Sequence, residues 1–345
     1  MAMKTIKDEY KGTQLNSYLR KSLSEMNLAR IKLIEMLICA LCKARSVNFG
    51  KLSLVIVGKA KSDSYLRRIQ RFIADYPLNT DSIALLIRKI LPHIGQLRLT
   101  MDRTNWKFGT ANINAPVPGI TYKAVAFPIL VKMPDKQGNS NTDERIAIIK
   151  RFIRLFGQSC IECLLCDREF VGERWVKFLN DLRIVYHIRI RENFYVISPR
   201  TGKRIKASWL FGNLRYGEAR YHSEIFSVNN QLCYLSATLA KNSKELPELQ
   251  IIISYNKPEQ AQELYKERRQ IETAFRGIKS SGFNIEGTHL TQIDRLEKFF
   301  AIVMLAFAWA YVVGDYLDRY YRTYQNQKTR KKSKKYFQTR TGLYH

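Results

Sequence analysis

Residues Phe299 to Val313, FFAIVMLAFAWAYVV, contain no charged or amide side chain in fifteen positions. As a helix this run is apolar on every side, so it has no face to offer water. A membrane span needs about 20 such residues. The shorter run is therefore expected as a buried core helix, extending over Phe299–Asp318 and packing on a sheet that the rest of the chain must supply. The opening residues, MAMKTIKDEYKG, lead into no apolar segment. No signal peptide is expected, and the protein is expected in the cytoplasm without a membrane role.

A second stretch carries the chemistry. Tyr265–Lys279 reads YKERRQIETAFRGIK. At about 100° per residue, Tyr265, Arg268, Glu272, Arg276 and Lys279 share one helical face, and Leu264, Ile271, Phe275 and Ile278 share another. One carboxylate among cations suits a place where a metal meets a phosphate. Two aspartates have a matching position: Asp102 closes the alternation QLRLTM, and Asp167 closes the run CIECLLC. Both are expected at the ends of buried strands, where open α/β sheets place their reacting groups.

These residues resemble the DDE transposases of bacterial insertion sequences, and within them the IS-four group marked by Tyr-x2-Arg-x3-Glu-x6-Lys. Tyr265, Arg268, Glu272 and Lys279 match that spacing without a gap, and DRTNW at Asp102 and DREF at Asp167 look like the group's acidic motifs. The resemblance runs from about Leu97 to Val313. It implies a DNA transposase that cuts at the ends of its element and joins 3′ ends to target DNA. Asp102, Asp167 and Glu272 would hold two Mg²⁺ or Mn²⁺ ions, with Tyr265, Arg268 and Lys279 on phosphates. It also implies a homodimer on double-stranded DNA and excision through a hairpin. A nuclease that cuts without joining and an inactive DNA-binding descendant are the alternatives.

The order of elements fits an α/β fold with a ribonuclease-H-like core. Gln96–Met133 reads as three strands, with RTNWKFG as the turn after Asp102. A helix over Asp143–Phe156, capped by Thr142, a strand over Cys160–Cys166, a helix near Gly172–Leu182 and a strand over Ile184–Ile190 follow. Residues 191–256 hold short β-like runs punctuated by glycines and by Asn229–Asn230, and read as a β-rich insertion. There Arg189 and Arg191 share a strand face and, with Arg276 on the later helix, are candidate DNA contacts. Trp209 and Tyr234 read as insertion core, with base stacking as the other possibility.

Residues 1–92 read as a helical DNA-binding domain, with helices over Leu23–Lys43, Tyr65–Ala74 and Ile83–Ile90. Arg67, Arg68 and Arg71 form a basic face on the second of these. Residues 93–190 and 257–322 form the two parts of the core, and 323–345 form a basic tail. The balance of 58 Lys+Arg against 30 Asp+Glu, a formal charge of +28, points to a polyanionic partner, nucleic acid before membrane. The pairs Cys39/Cys42 and Cys163/Cys166 have zinc-like spacing. Both lie in apolar runs, and the second would point to opposite faces of a strand, so the cysteines read as core. No Gly-rich phosphate loop is present.

Overall fold

In the computed structural model of the protein, residues 14–92, 95–108, 111–133, 141–241, 245–288 and 290–321 are described. The expected basic tail lies outside them.

After a helical segment over 14–22, the N-terminal helices are α1 (Leu28–Ala44), α2 (Phe49–Val55), α3 (Ser62–Asp75) and α4 (Thr80–Ile90). Asparagine side chains open three of them. Asn27 accepts the Arg30 N–H at 3.0 Å, Asn48 the Lys51 N–H at 3.1 Å and Asn79 the Asp81 N–H at 2.9 Å. The Asn27 cap explains why α1 starts later than Leu23. On α3, Tyr65, Ile69, Phe72 and Ile73 are buried, while Arg67 and Arg71 are exposed.

Three strands follow: β1 (Leu97–Phe108), β2 (Ala111–Tyr122) and β3 (Val125–Pro128). Helix α5 (Thr142–Phe156) leads to β4 (Ile161–Cys166), and α6 (Glu173–Asp181) leads to β5 (Tyr186–Ile190). Asn141, not Thr142, caps α5. Its side chain accepts the Glu144 N–H at 2.9 Å, and the Glu144 carboxylate accepts the Asn141 N–H at 2.9 Å. Strands β1 to β3 pair antiparallel, while β4 runs parallel to β1 and β5 parallel to β4. The spatial order is 3-2-1-4-5. The succession of three strands, helix, strand, helix and strand along the chain is the one expected from the sequence.

Residues beyond β5 extend the same sheet. Strands β6 (Tyr195–Ile197), β7 (Arg204–Lys206), β8 (Ala219–Tyr221), β9 (Phe226–Val228), β10 (Gln231–Lys241) and β11 (Pro247–Ser254) give eleven strands, with β11 antiparallel to β5. The three-residue β8 pairs with β10 and has no apolar alternation in the sequence that would have revealed it. Trp209 is 69% exposed and so is not insertion core; in its turn, Ala207 and Phe211 are the buried residues.

The long apolar helix covers Ile293–Tyr321. Phe299 to Ala310 are all buried. Phe127 of β3 packs on Tyr311 with ring centroids 4.7 Å apart, and Phe49 of α2 packs on Phe299 at 5.2 Å. The helix thus lies between the sheet and the N-terminal helices, which explains why every side of it is apolar. Burying each such Phe or Leu contributes roughly 1.5–3 kcal/mol. By length and composition it could cross a membrane, yet 83% of its most apolar window is buried inside the protein.

Candidate functional site

Parallel pairing of β1 with β4 ends at Met101 beside Cys166. Asp102 is the next residue of β1 and Asp167 the first residue past β4, so they stand side by side at the carboxyl edge of the parallel pairing. The expectation that Asp102 ends its strand is corrected: β1 continues to Phe108, paired with β2 alone, so Arg103 to Phe108 of the expected turn belong to this two-stranded extension.

The third carboxylate comes from a helical stretch that the sequence reads as one regular helix. It is instead α7 (Ala261–Tyr265), a 3₁₀ turn (Lys266–Arg269), α8 (Gln270–Arg276) and a π turn (Gly277–Ser281). The 3₁₀ turn is gripped by the sheet. The Thr100 hydroxyl donates to the Arg268 carbonyl at 3.3 Å. Glu267 accepts from Arg98 at 2.6 Å and from the Thr121 hydroxyl at 2.8 Å, and Arg98 also reaches Glu162 at 3.0 Å. Ile271, Ala274, Phe275 and Ile278 are buried, and Leu264 is only half-buried.

Arg268 joins the three acids. Its Nη2 lies 3.2 Å from Oδ2 of Asp102 and 3.3 Å from Oδ2 of Asp167, and its Nη1 pairs with Glu272 one turn along. Its side chain is 11% exposed, so the guanidinium is held in a poorly hydrated place where charge pairing is strong. The Tyr265 hydroxyl donates to Asp167 Oδ1 at 3.4 Å. Burial, helped by Asp167, pushes the Tyr265 hydroxyl well above its ordinary range, so it acts as a neutral donor.

Burial pushes the Asp102 carboxyl up to about 6. Arg268 and the Arg103 N–H bond at 2.8 Å oppose that rise, while Glu169 and Asp167 add to it. Lys279 is half-buried, and burial lowers its ammonium below the ordinary range against the opposing pull of Glu286 and Asp102. The structure therefore brings together Asp102, Asp167, Glu272, Tyr265 and Arg268, with Lys279 in electrostatic reach. Arg276 is exposed, Arg189 is engaged with Glu248, and Arg191, the residue after β5, is exposed.

Sequence reading missed a cross-link between the two aspartate motifs. Arg103, next to Asp102, pairs through two nitrogens with Glu169, two residues after Asp167. Arg145 of α5 donates to the Glu169 carbonyl at 3.1 Å and lies over the Phe170 ring. Both partners sit in the quoted motifs, but nothing in their spacing pairs them.

Hard carboxylate oxygens are suitable donors for a divalent cation. Among the described residues, no three such side chains lie close enough to share one ion as they stand. Arg268 lies between them and supplies the positive charge.

No curated protein matches the chain. A cryo-EM structure of a piggyBac transposase synaptic complex with hairpin DNA is similar at a TM-score of 0.49 and 11% identity, over 96% of this chain and 76% of that one. The family described as "Transposase DDE domain" matches residues 129–309, a segment that holds Asp167 and Glu272 and begins after Asp102. With more than half of its length matched, this chain belongs to the transposase DDE domain family.

Proposed function

We propose that the protein is a DNA transposase of the insertion-sequence type, close to the IS-four group, that cuts at the ends of its element and joins the 3′ ends to target DNA. The observation that carries this reading is the convergence of Asp102, Asp167 and Glu272 on Arg268 at the carboxyl edge of β1 and β4.

Asp102, Asp167 and Glu272 are the residues that would hold two Mg²⁺ or Mn²⁺ ions. Bound there, such ions supply positive charge to the attacking and leaving oxygens of an in-line displacement at phosphorus. The chain's own groups do the rest. Arg268 exchanges its carboxylate contacts for phosphate oxygens, since a guanidinium suits both through paired N–H donors. Tyr265, neutral and aimed at Asp167, donates to an oxygen of the same phosphate. Lys279 adds charge beside Asp102. In the cut, a water oxygen bonds to phosphorus and the DNA 3′ oxygen leaves with a proton. In joining, the oxygen of that 3′-hydroxyl gives up its proton and bonds to a target phosphorus, and the target strand's own 3′ oxygen leaves and takes up a proton. The exposed arginines of α3 are candidates for reading the element's ends, and the working form is a dimer on paired DNA ends.

The test is cleavage and strand transfer on DNA carrying the element's own ends, with Mg²⁺, for wild type and Glu272→Ala. Wild type is expected to cut and join, and the variant to bind DNA without reacting. A variant as active as wild type removes Glu272 from the site. Cutting without joining of a pre-cut end assigns a nuclease instead.

A further inference from the structure

Beside the carboxylates, the loop after β4 and the residues just beyond β5 enclose a hollow of about 390 Å³. Arg103, Arg145, Arg168, Glu169, Arg191 and Phe194 line it. The charges of Arg103 and Glu169 cancel in their ion pair. Arg145 is buried, and its guanidinium is fixed by the Glu169 carbonyl and the Phe170 ring, whose centroid is 4.7 Å away. Arg168 and Arg191 are exposed, and among the described residues neither is paired with a carboxylate. The lining is therefore strongly positive, with one cation set deep in the wall and two free to reach inward.

The hollow is also tied to the reacting edge. Arg103 follows Asp102 in the chain and Arg168 follows Asp167, so two lining residues are neighbours of site carboxylates. On its other side, Arg191 and Phe194 are shared with a second hollow of about 600 Å³ that runs along Tyr195 and Arg204. The two make one groove leading from the carboxylates along the insertion strands.

We propose that the first hollow is an anion subsite that holds a phosphate of the DNA strand leading away from the carboxylate cluster. Arg168 and Arg191 are its ligands, and Arg145 is a fixed charge behind them. Arginines without lysine favour a phosphodiester, because each presents a planar pair of donors to two phosphate oxygens. Burial holds the Arg145 charge where water screens it least. The inference rests on reading the carboxylate cluster as a centre that acts on DNA.

The test uses the full chain and a fluorescein-labelled DNA duplex with a single-stranded extension. Binding is followed by anisotropy at several salt concentrations, with no divalent ion present. Arg168→Ala/Arg191→Ala is expected to weaken binding about 10-fold and to lower the salt slope by about one, as loss of one phosphate contact requires. In wild type, arginine modification by phenylglyoxal, read by mass spectrometry, is expected to fall at Arg168 and Arg191 when DNA is bound. Unchanged affinity, with both arginines still modified in the complex, overturns the subsite. The Glu272→Ala cleavage result stands apart from that outcome, so failure of the subsite leaves the carboxylate site intact. If wild type binds no DNA, both readings fall.

Discussion

Nη2 of Arg268 stands 3.2 Å from Oδ2 of Asp102, on an element 166 residues further along the chain. The same nitrogen reaches Asp167, and its neighbour reaches Glu272. Removing this cation leaves three carboxylates facing one another in a poorly hydrated place. Breaking a fully buried ion pair costs roughly 3–5 kcal/mol. Glu272 is about half exposed, so Arg268→Ala is expected to lose about 2–3 kcal/mol in metal-free buffer. Added Mg²⁺ or Mn²⁺ is then expected to raise the melting temperature of the variant more than that of wild type. A variant as stable as wild type in EDTA would show that Arg268 does not balance these acids.

Gly119 of β2 sits under the helix that bears Glu272. A Cβ there would lie 2.9 Å from Cδ1 of Ile271 and 3.3 Å from the Phe127 carbonyl oxygen. Gly119→Ala is expected to cost about 1–3 kcal/mol by overpacking. It should also slow DNA cleavage by about 10-fold or more, because it displaces the residue next to Glu272. Ile271→Val removes the methyl in the way, so the double variant Gly119→Ala/Ile271→Val should recover most of the rate. Equal slowing in the single and double variants would rule out this contact as the cause.

The succession of core strands and helices and the buried helix were legible because both rest on hydrophobic pattern. Strand and helix periods place Leu97, Leu99 and Met101 on β1, and a run without a polar side announces a helix covered on all sides. The Tyr265–Lys279 spacing survived a change of helical pitch, because Tyr265, Arg268 and Glu272 still point to one centre. The 3₁₀ turn was hidden, since Thr100, Thr121 and Arg98 grip that stretch from strands far away in the sequence. The Arg103–Glu169 pair was hidden for the same reason: it depends on β1 and β4 lying parallel in one register. Strand β8 carries Ala219, Arg220 and Tyr221, all exposed, so no burial pattern marks it.

The turn between β2 and β3 offers a test of backbone strain. Lys123 and Ala124 both have positive φ, at 46° and 65°, in a two-residue hairpin that closes Tyr122 onto Val125. Such turns favour Asn-Gly, because a Cβ is crowded there. The hairpin between β9 and β10 meets the same demand with Asn229–Asn230. Ala124 is exposed and Lys123 reaches Asp315 at 3.6 Å, so Ala124 is the residue to change. Ala124→Gly is expected to stabilise the protein by about 0.5–1 kcal/mol, net of the entropy glycine loses on folding. Chemical denaturation measures it, and a lower midpoint for the variant would exclude strain at this turn.

His187 of β5 is fully buried, with Nδ1 2.8 Å from the Ser254 hydroxyl of β11. Burial, with Lys257 adding to it, pushes the imidazole down to about 4 from 6.5. The sign of the pH effect follows. Above about 6.5 the ring is neutral in both states and pH has no effect through it. As pH falls from about 6.5 to 4, the unfolded chain takes up a proton that the folded chain refuses, so the folded state loses stability, and below about 4 the loss stops growing. The full loss over that window is about 3 kcal/mol. His187→Asn keeps a polar group near Ser254 and cannot titrate. Wild type is therefore expected to lose about 3 kcal/mol more than the variant between pH 7 and pH 4, read from urea midpoints at each pH. Parallel curves for the two proteins would mean that His187 takes up its proton equally in the folded and unfolded states.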